Sequence, residues 1–163
     1  CSQADPPTAG GLLSALGLMT DHLRKRLVDV ALEWERAFVN APSITTAISE
    51  YDAAMLIGLS ESEYSQAMHG STAVQRGFDF KHLGVRYQVK GTRPSGKPGS
   101  NITKVPSALN FDWDQLIWVS YNPGFQIQEA WQWDVEAYRK EFSEIKRISP
   151  IHMRKGKCLA GKR

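Results

Sequence analysis

Cysteine is nearly absent from this chain: there are two, Cys1 and Cys158, near opposite ends. So placed, they offer neither a disulfide framework nor the paired spacing of a zinc site. A reducing, cytoplasmic setting is the expectation. No apolar run approaches the ~20 residues that a membrane span requires, so no membrane partner is expected. The opening residues, Cys1 to Gly11, lack a basic start and an apolar centre. They read as a loose tail, not a signal peptide. There is no internal repeat and no low-complexity tract. Positive charge is missing from two long stretches. Residues 41–75 hold four acids and residues 105–138 hold five, and neither stretch has a Lys or Arg.

The bases are concentrated elsewhere. Residues 76–104 carry seven bases and one acid, and residues 139–163 carry nine bases and two acids. Two basic blocks point to a polyanionic partner such as nucleic acid. The plainer alternative is that they are solvated faces balanced by the acidic blocks. The 163 residues suit one compact domain, and 42% apolar with 23% charged residues is an ordinary globular mix, so long disorder is not expected.

Along the chain, residues 12–19 predict a short helix. Thr20 predicts an N-cap for a helix from Asp21 to about Asn40, with Leu23, Leu27, Val30, Ala31, Trp34, Ala37 and Phe38 as its buried stripe. Pro42 ends it, and a second helix over 43–58 carries Glu50 and Asp52 and stops at Gly58. Ser60 to Glu63 reads as the cap of a short helix. Residues 91–107 form a long loop rich in Gly and Pro, of the kind that is often functional. Strands are expected over 115–121 and 125–131, with Phe125, Ile127, Glu129 and Trp131 sharing a face. A helix from Asp134 to about Glu144, a short basic helix over 151–155 and a basic tail close the chain. The order predicts an α/β or α+β fold with a mixed central sheet of about four strands flanked by helices. Residues 1–42 are expected to act as an arm beside a domain over 43–163. The five tryptophans are expected in the core.

One stretch concentrates the chemistry. Gly77 to Lys90 reads as a hairpin turning at Leu83-Gly84. Its second run alternates, so Arg86, Gln88 and Lys90 share one face and Val85, Tyr87 and Val89 the other. An acid, Asp79, precedes it. A hard cation takes oxygen ligands. Asp79 supplies a carboxylate, Gln88 an amide oxygen and Val89 a backbone carbonyl, and Lys90 can orient a water or stabilise charge on a phosphate. Glu50, on the preceding helix, is a candidate second carboxylate.

Gly77-x-Asp79 followed by Tyr87-Gln88-Val89-Lys90 resembles the core motif of the PD-(D/E)xK nuclease superfamily, the restriction-endonuclease-like fold. The Gln-x-Lys form resembles the Mrr-type branch, and the element order and size resemble the PvuII-type restriction endonucleases. The resemblance spans roughly residues 44–145. It implies a metal-dependent DNA endonuclease using Mg²⁺, with Mn²⁺ able to substitute, acting on double-stranded DNA as a homodimer in which the N-terminal helices of residues 1–42 would be the dimerisation arm. Asp79, Gln88, Lys90 and Glu50 would be catalytic, and Asp79, Gln88, Glu50 and the Val89 carbonyl would bind metal. Arg86, Arg93, Lys97 and Lys104 would contact DNA. Phe78 stands where the motif name has Pro, and Gln88 replaces the second acid, which removes one negative charge.

Each residue also has a plainer reading. Asp79 can pair with Lys81, Arg86 or Lys90 at a strand end, Lys90 can be a solvated strand lysine, and Glu50 can lie on a solvated helix face. Asp112 and Asp114 read as strand-entry residues. The alternative functions are a non-catalytic DNA-binding module with the same fold and a structural or interaction protein.

Overall fold

The computed structural model describes residues 9–70 and 77–161, with side chains from Leu23 onward. Three helices come first: α1 (Ala9–Phe38), α2 (Thr45–Leu56) and α3 (Glu61–His69). Strands β1 (Phe80–His82), β2 (Val85–Thr92), β3 (Gln115–Tyr121) and β4 (Ile127–Asp134) follow. Helices α4 (Val135–Phe142) and α5 (Pro150–Met153) and strand β5 (Lys157–Ala160) complete a mixed α+β fold. The strands form one sheet in sequence order, antiparallel except for the parallel β2–β3 pair.

Local chemistry accounts for most of these boundaries. Leu83 and Gly84 both have positive φ, 49° and 80°, and close the β1–β2 hairpin. Paired positive φ values match the right-handed twist of the flanking strands. Ser60 and Glu63 form a reciprocal capping box on α3, with Glu63 N–H donating to Ser60 Oγ and Ser60 N–H to the Glu63 carboxylate. Asp134 caps α4 by accepting from Ala137 N–H at 2.9 Å. Gly58, at φ 93°, follows α2 where the chain needs a left-handed residue.

The sheet is buried on both faces. Phe80, Val89, Ile117, Val119 and Tyr121 pack with Val28, Ile48, Ala53 and Ala54 under α1, α2 and α3. Leu116, Trp118 and Trp133 pack with Trp113, Tyr138, Phe142 and Met153 on the other side. Two-sided burial explains why β3 reads as an almost unbroken apolar run. A network ties the first layer together. Asp52 accepts from Arg24 Nε and Nη2, each at 2.7 Å, and from the Tyr121 hydroxyl at 2.7 Å. Arg24 also donates to the Phe125 carbonyl at 3.2 Å. Among the described residues no helix is long and apolar enough to cross a membrane.

Several expectations need correction. The sheet has five strands, not four, because the expected basic tail contains β5 paired to β4. Residues 12–38 form one helix with no cap at Thr20; no proline interrupts the run from Ala9 to Phe38. Ala9 to Gly11 belong to that helix, and the rest of the expected tail lies outside the described residues. Helix α2 starts at Thr45 with no side-chain cap at Ile44. Its predecessor buries Val28 and Ala31, whereas Leu23, Leu27, Val30, Trp34 and Phe38 are exposed, so Trp34 is not a core residue. The second expected strand begins at Ile127 and runs to Asp134. Its register shifts by a bulge: Tyr121 pairs with Ile127 but Ser120 with Glu129. The extra residue reverses the alternation, so Ile127 packs in the first core and Trp131 in the second.

Candidate active site

β1 is three residues long, and its pairing with β2 ends at Phe80 opposite Tyr87. β2 runs on to Thr92, leaving a stretch of edge without a strand on that side. Asp79 stands at the fork. Its backbone N–H donates to the Tyr87 carbonyl at 2.8 Å. Its carboxylate Oδ2 accepts from Val89 N–H at 2.6 Å and from Gln88 Nε2 at 2.7 Å. One side-chain oxygen thus takes the place that the next strand residue would have filled. The Val89 carbonyl points to the same edge as its N–H and lies 3.5 Å from Gln88 Nε2.

Helix α2 brings the second carboxylate. It packs over β2 at Gly91, where a Cβ would lie 2.5 Å from Ser49 Oγ, so only glycine allows this approach. Ser49 is buried against the strand, and Glu50 follows it, half-buried, within electrostatic reach of Asp79. Burial first, and the Asp79 charge second, push the Glu50 carboxyl up to about 7. Asp79 is also raised by burial, against the opposing pull of Val89 N–H and Lys90.

Lys90 and Gln88 project from the strand face opposite the one that carries Tyr87, Val89 and Gly91, as the alternation predicts. Thr92, on their face, accepts from Trp118 Nε1 at 2.9 Å. Asp79, at the fork in the sheet, is thus reached by Val89 and Gln88 through hydrogen bonds, by the Lys90 charge from the face it shares with Gln88, and by Glu50 from the side of α2. The structure adds Tyr64 from α3, which the sequence reading did not single out. Its ring meets Phe80 edge-on at 6.1 Å, and its hydroxyl is pushed up to about 12 by burial, then by Glu50 and Asp79. Nothing in the local sequence marks Tyr64, because only the docking of α3 on β1 places it there.

Among the described residues, no three His, Cys, Asp or Glu side chains come together in a way that could hold a metal ion. The oxygen donors at the fork are two carboxylates, an amide and a backbone carbonyl. The Asp79 charge adds to burial in raising the proton affinity of the Glu50 carboxyl. That donor set fits a hard divalent cation. The Gln88 amide directs Nε2 at Asp79, and a half-turn of its last torsion would present Oε1 instead.

The four candidate DNA contacts divide into two kinds. Arg86 is bound on both its backbone and its side chain by Asp114, with guanidinium contacts of 3.0 and 3.1 Å. Arg86 holds the Asp114 carboxyl down at about 2. The Arg93 side chain is only 9% exposed and pairs with Glu35 at 2.7 Å. It also donates to the Pro123 carbonyl and lies 4.4 Å over the Phe125 ring. It pins the start of the loop to α1 and to the β3–β4 turn. Lys97 and Lys104 are exposed and have no ion-pair partner among the described residues. The far end of the loop is tied down by Val105 N–H to the Ile148 carbonyl and by Arg147 to Thr103, each at 2.9 Å. Thr45, Thr92, Asn101 and Lys104 line an open hollow of about 450 Å³ beyond the end of β2. No family model matches this chain, and no curated protein matches it in sequence.

Proposed function

We propose that the chain is a metal-dependent endonuclease of the restriction-endonuclease-like kind, hydrolysing phosphodiester bonds in double-stranded DNA. The observation that carries this reading is the meeting of Glu50 and Asp79, from separate elements, beside Gln88, the Val89 carbonyl and Lys90, with Glu50 raised to about 7. Glu50, Asp79, Gln88 and the Val89 carbonyl would hold Mg²⁺ or Mn²⁺, which when bound supplies a Lewis acid and neutralises phosphate charge. Lys90 orients the attacking water and stabilises the charge that develops on the phosphate as a P–O ester bond breaks. Asp79 anchors the site to β2 through Val89 N–H. Lys97 and Lys104 contact phosphates on the flanking duplex.

Supercoiled plasmid incubated with the protein and Mg²⁺ or Mn²⁺ tests the reading. Wild type nicks or linearises it, and Lys90→Ala lowers the rate ~100-fold or more, in line with the loss of one charge-stabilising group. Asp79→Asn keeps an acceptor for Val89 N–H, so it abolishes cleavage while the melting temperature stays close to that of wild type. Intact plasmid with wild type under both metals sinks the proposal.

One observation favours a second reading, a DNA-binding module without catalysis. The Asp79 carboxylate is already engaged by Val89 N–H and Gln88, which is what a purely structural edge cap would do. In that case wild type shifts DNA in a gel, in a salt-dependent manner, yet never cuts it.

A further inference from the structure

The C-terminal basic block takes no part in the site at Asp79, and several of its bases are already committed. Arg154 pairs with Glu129, Lys155 pairs with Glu141, and Arg147 donates to Thr103. Arg139 and Lys146 are exposed, and neither forms an ion pair among the described residues. Both line a cleft of about 440 Å³ between residues 107–111 and α4 with the chain that follows it. Its floor belongs to the second core: Ala108, Tyr138, Phe142 and Ile148 are at most 7% exposed. Among the described residues no acid lines it, although Asp112, Glu136 and Glu144 are close in sequence.

One wall of the cleft is pinned in place. Ala108 N–H donates to the Tyr138 hydroxyl at 3.1 Å, and the Asn110 carbonyl accepts from Trp113 Nε1 at 2.8 Å. Leu109, between these two anchors, is 87% exposed, and Phe111 is 39% exposed. Two large apolar side chains beside an apolar floor make a patch that the described chain leaves uncovered. The Arg139 guanidinium lies 4.5 Å over the Phe111 ring. Stacking occupies a face of the guanidinium and leaves its N–H edges free, and those edges match a carboxylate two-pronged. A cleft of this volume, preformed and mostly apolar, has the dimensions of a small-molecule site. Two unpaired cations without an acid between them make its preferred ligand an anion.

We propose that this cleft binds a small carboxylate with an aromatic or branched apolar body, the carboxylate on Arg139 and Lys146 and the body on Leu109, Phe111 and the floor. The assignment does not rest on the nuclease reading, since none of these residues belongs to the site at Asp79. Methyl NMR of the full chain tests it, with 2-naphthoate, its neutral amide and 2-naphthylmethylamine as probes. Naphthoate shifts the methyls of Leu109, Ile145 and Ile148, which line the cleft, with a Kd of ~1 mM or tighter, in line with its size. The amide binds about tenfold more weakly, for want of the charged contact, and the amine does not bind. Arg139→Gln removes most of the preference for the acid over the amide, and Arg139→Gln with Lys146→Gln removes all of it. Neither changes the unfolding midpoint, because both side chains are exposed. Lys90→Ala leaves naphthoate binding unchanged, so this test and the nuclease test fail independently. Absent shifts at these methyls, or equal binding of all three probes, overturn the proposal. So does naphthoate binding that ignores both charge substitutions. Release of naphthoate by a short DNA duplex assigns the two cations to phosphates instead. Methyl shifts that follow protein concentration before any probe is added assign the cleft to a second copy of the chain. Either of these results overturns the proposal as well.

Discussion

Glu50 carries the largest electrostatic tension at the site. Its carboxyl ionises near 7 in the folded chain against an ordinary 4.5. Between those values the folded state binds more protons than the unfolded one, so stability falls as pH rises from about 4.5 to about 7 and levels off above. Glu50→Gln removes the penalty. Urea unfolding in EDTA should show the variant more stable than wild type at pH 8 and little different at pH 4. The whole shift corresponds to ~3 kcal/mol, but the carboxyl keeps partial contact with water, so the expected gain is about 1 kcal/mol. A bound divalent cation reverses the sign, since it needs the ionised carboxylate. Mg²⁺ should stabilise wild type increasingly as pH rises through 7 and stabilise Glu50→Gln much less. Equal Mg²⁺ stabilisation of both proteins would show that Glu50 is not a ligand.

Among the elements, the α2–β2 contact sets the site, and it depends on Gly91. A methyl group there would lie 2.5 Å from Ser49 Oγ and 2.7 Å from its Cβ, and Ser49 is buried and bonded to the Thr46 carbonyl. Gly91→Ala must therefore push α2 off the strand, at a cost of ~1–3 kcal/mol. It also separates Glu50 from Asp79, so the Glu50 carboxyl should titrate closer to its ordinary value when followed by NMR. Adding Ser49→Gly vacates the space and should recover most of both effects. A double variant no better than Gly91→Ala alone would place the strain elsewhere. The elements that could be read from sequence are those governed by local chemistry. The hairpin follows from Leu83-Gly84, the β2 faces from alternation, and α3 and α4 from Ser60 and Asp134. What escaped depends on partners distant in sequence. The bulge at Ser120–Tyr121 reverses the alternation of β4, and β5 is four residues with only a neighbouring edge to fix it. The stripe on α1 announced an apolar face but not which of its sides the rest of the chain would cover. Asp79, Gln88 and Lys90 were legible because one hairpin carries them all. Glu50's place beside them needed α2 docked through Gly91.

For the whole molecule, the question is which part of the +3 net charge faces a partner. Four bases in and after the hairpin were expected to contact DNA, but the fold has already neutralised two of them. Arg86 is held by Asp114 and Arg93 by Glu35, while Lys97 and Lys104 remain exposed on a loop anchored at both ends. An anchored loop presents its lysines without a large ordering penalty, so if the chain binds DNA as proposed, these two should dominate the electrostatic share of its affinity. Counterion release makes this measurable, since each phosphate contact contributes about 0.9 to the slope of log affinity against log salt. Lys97→Ala and Lys104→Ala should each lower that slope by about 1, and together by about 2, with no change in unfolding midpoint. Arg86→Ala should alter the slope far less, because its charge is balanced by Asp114 before any DNA arrives. Arg93→Ala should act through the fold: it leaves the largely buried Glu35 unpaired and frees one end of the loop. Its signature is a lower unfolding midpoint together with weaker binding. If Arg86→Ala changes the slope as much as the lysine variants do, the Arg86–Asp114 pair opens on binding, and the duplex runs along the β1–β2 hairpin instead of the loop.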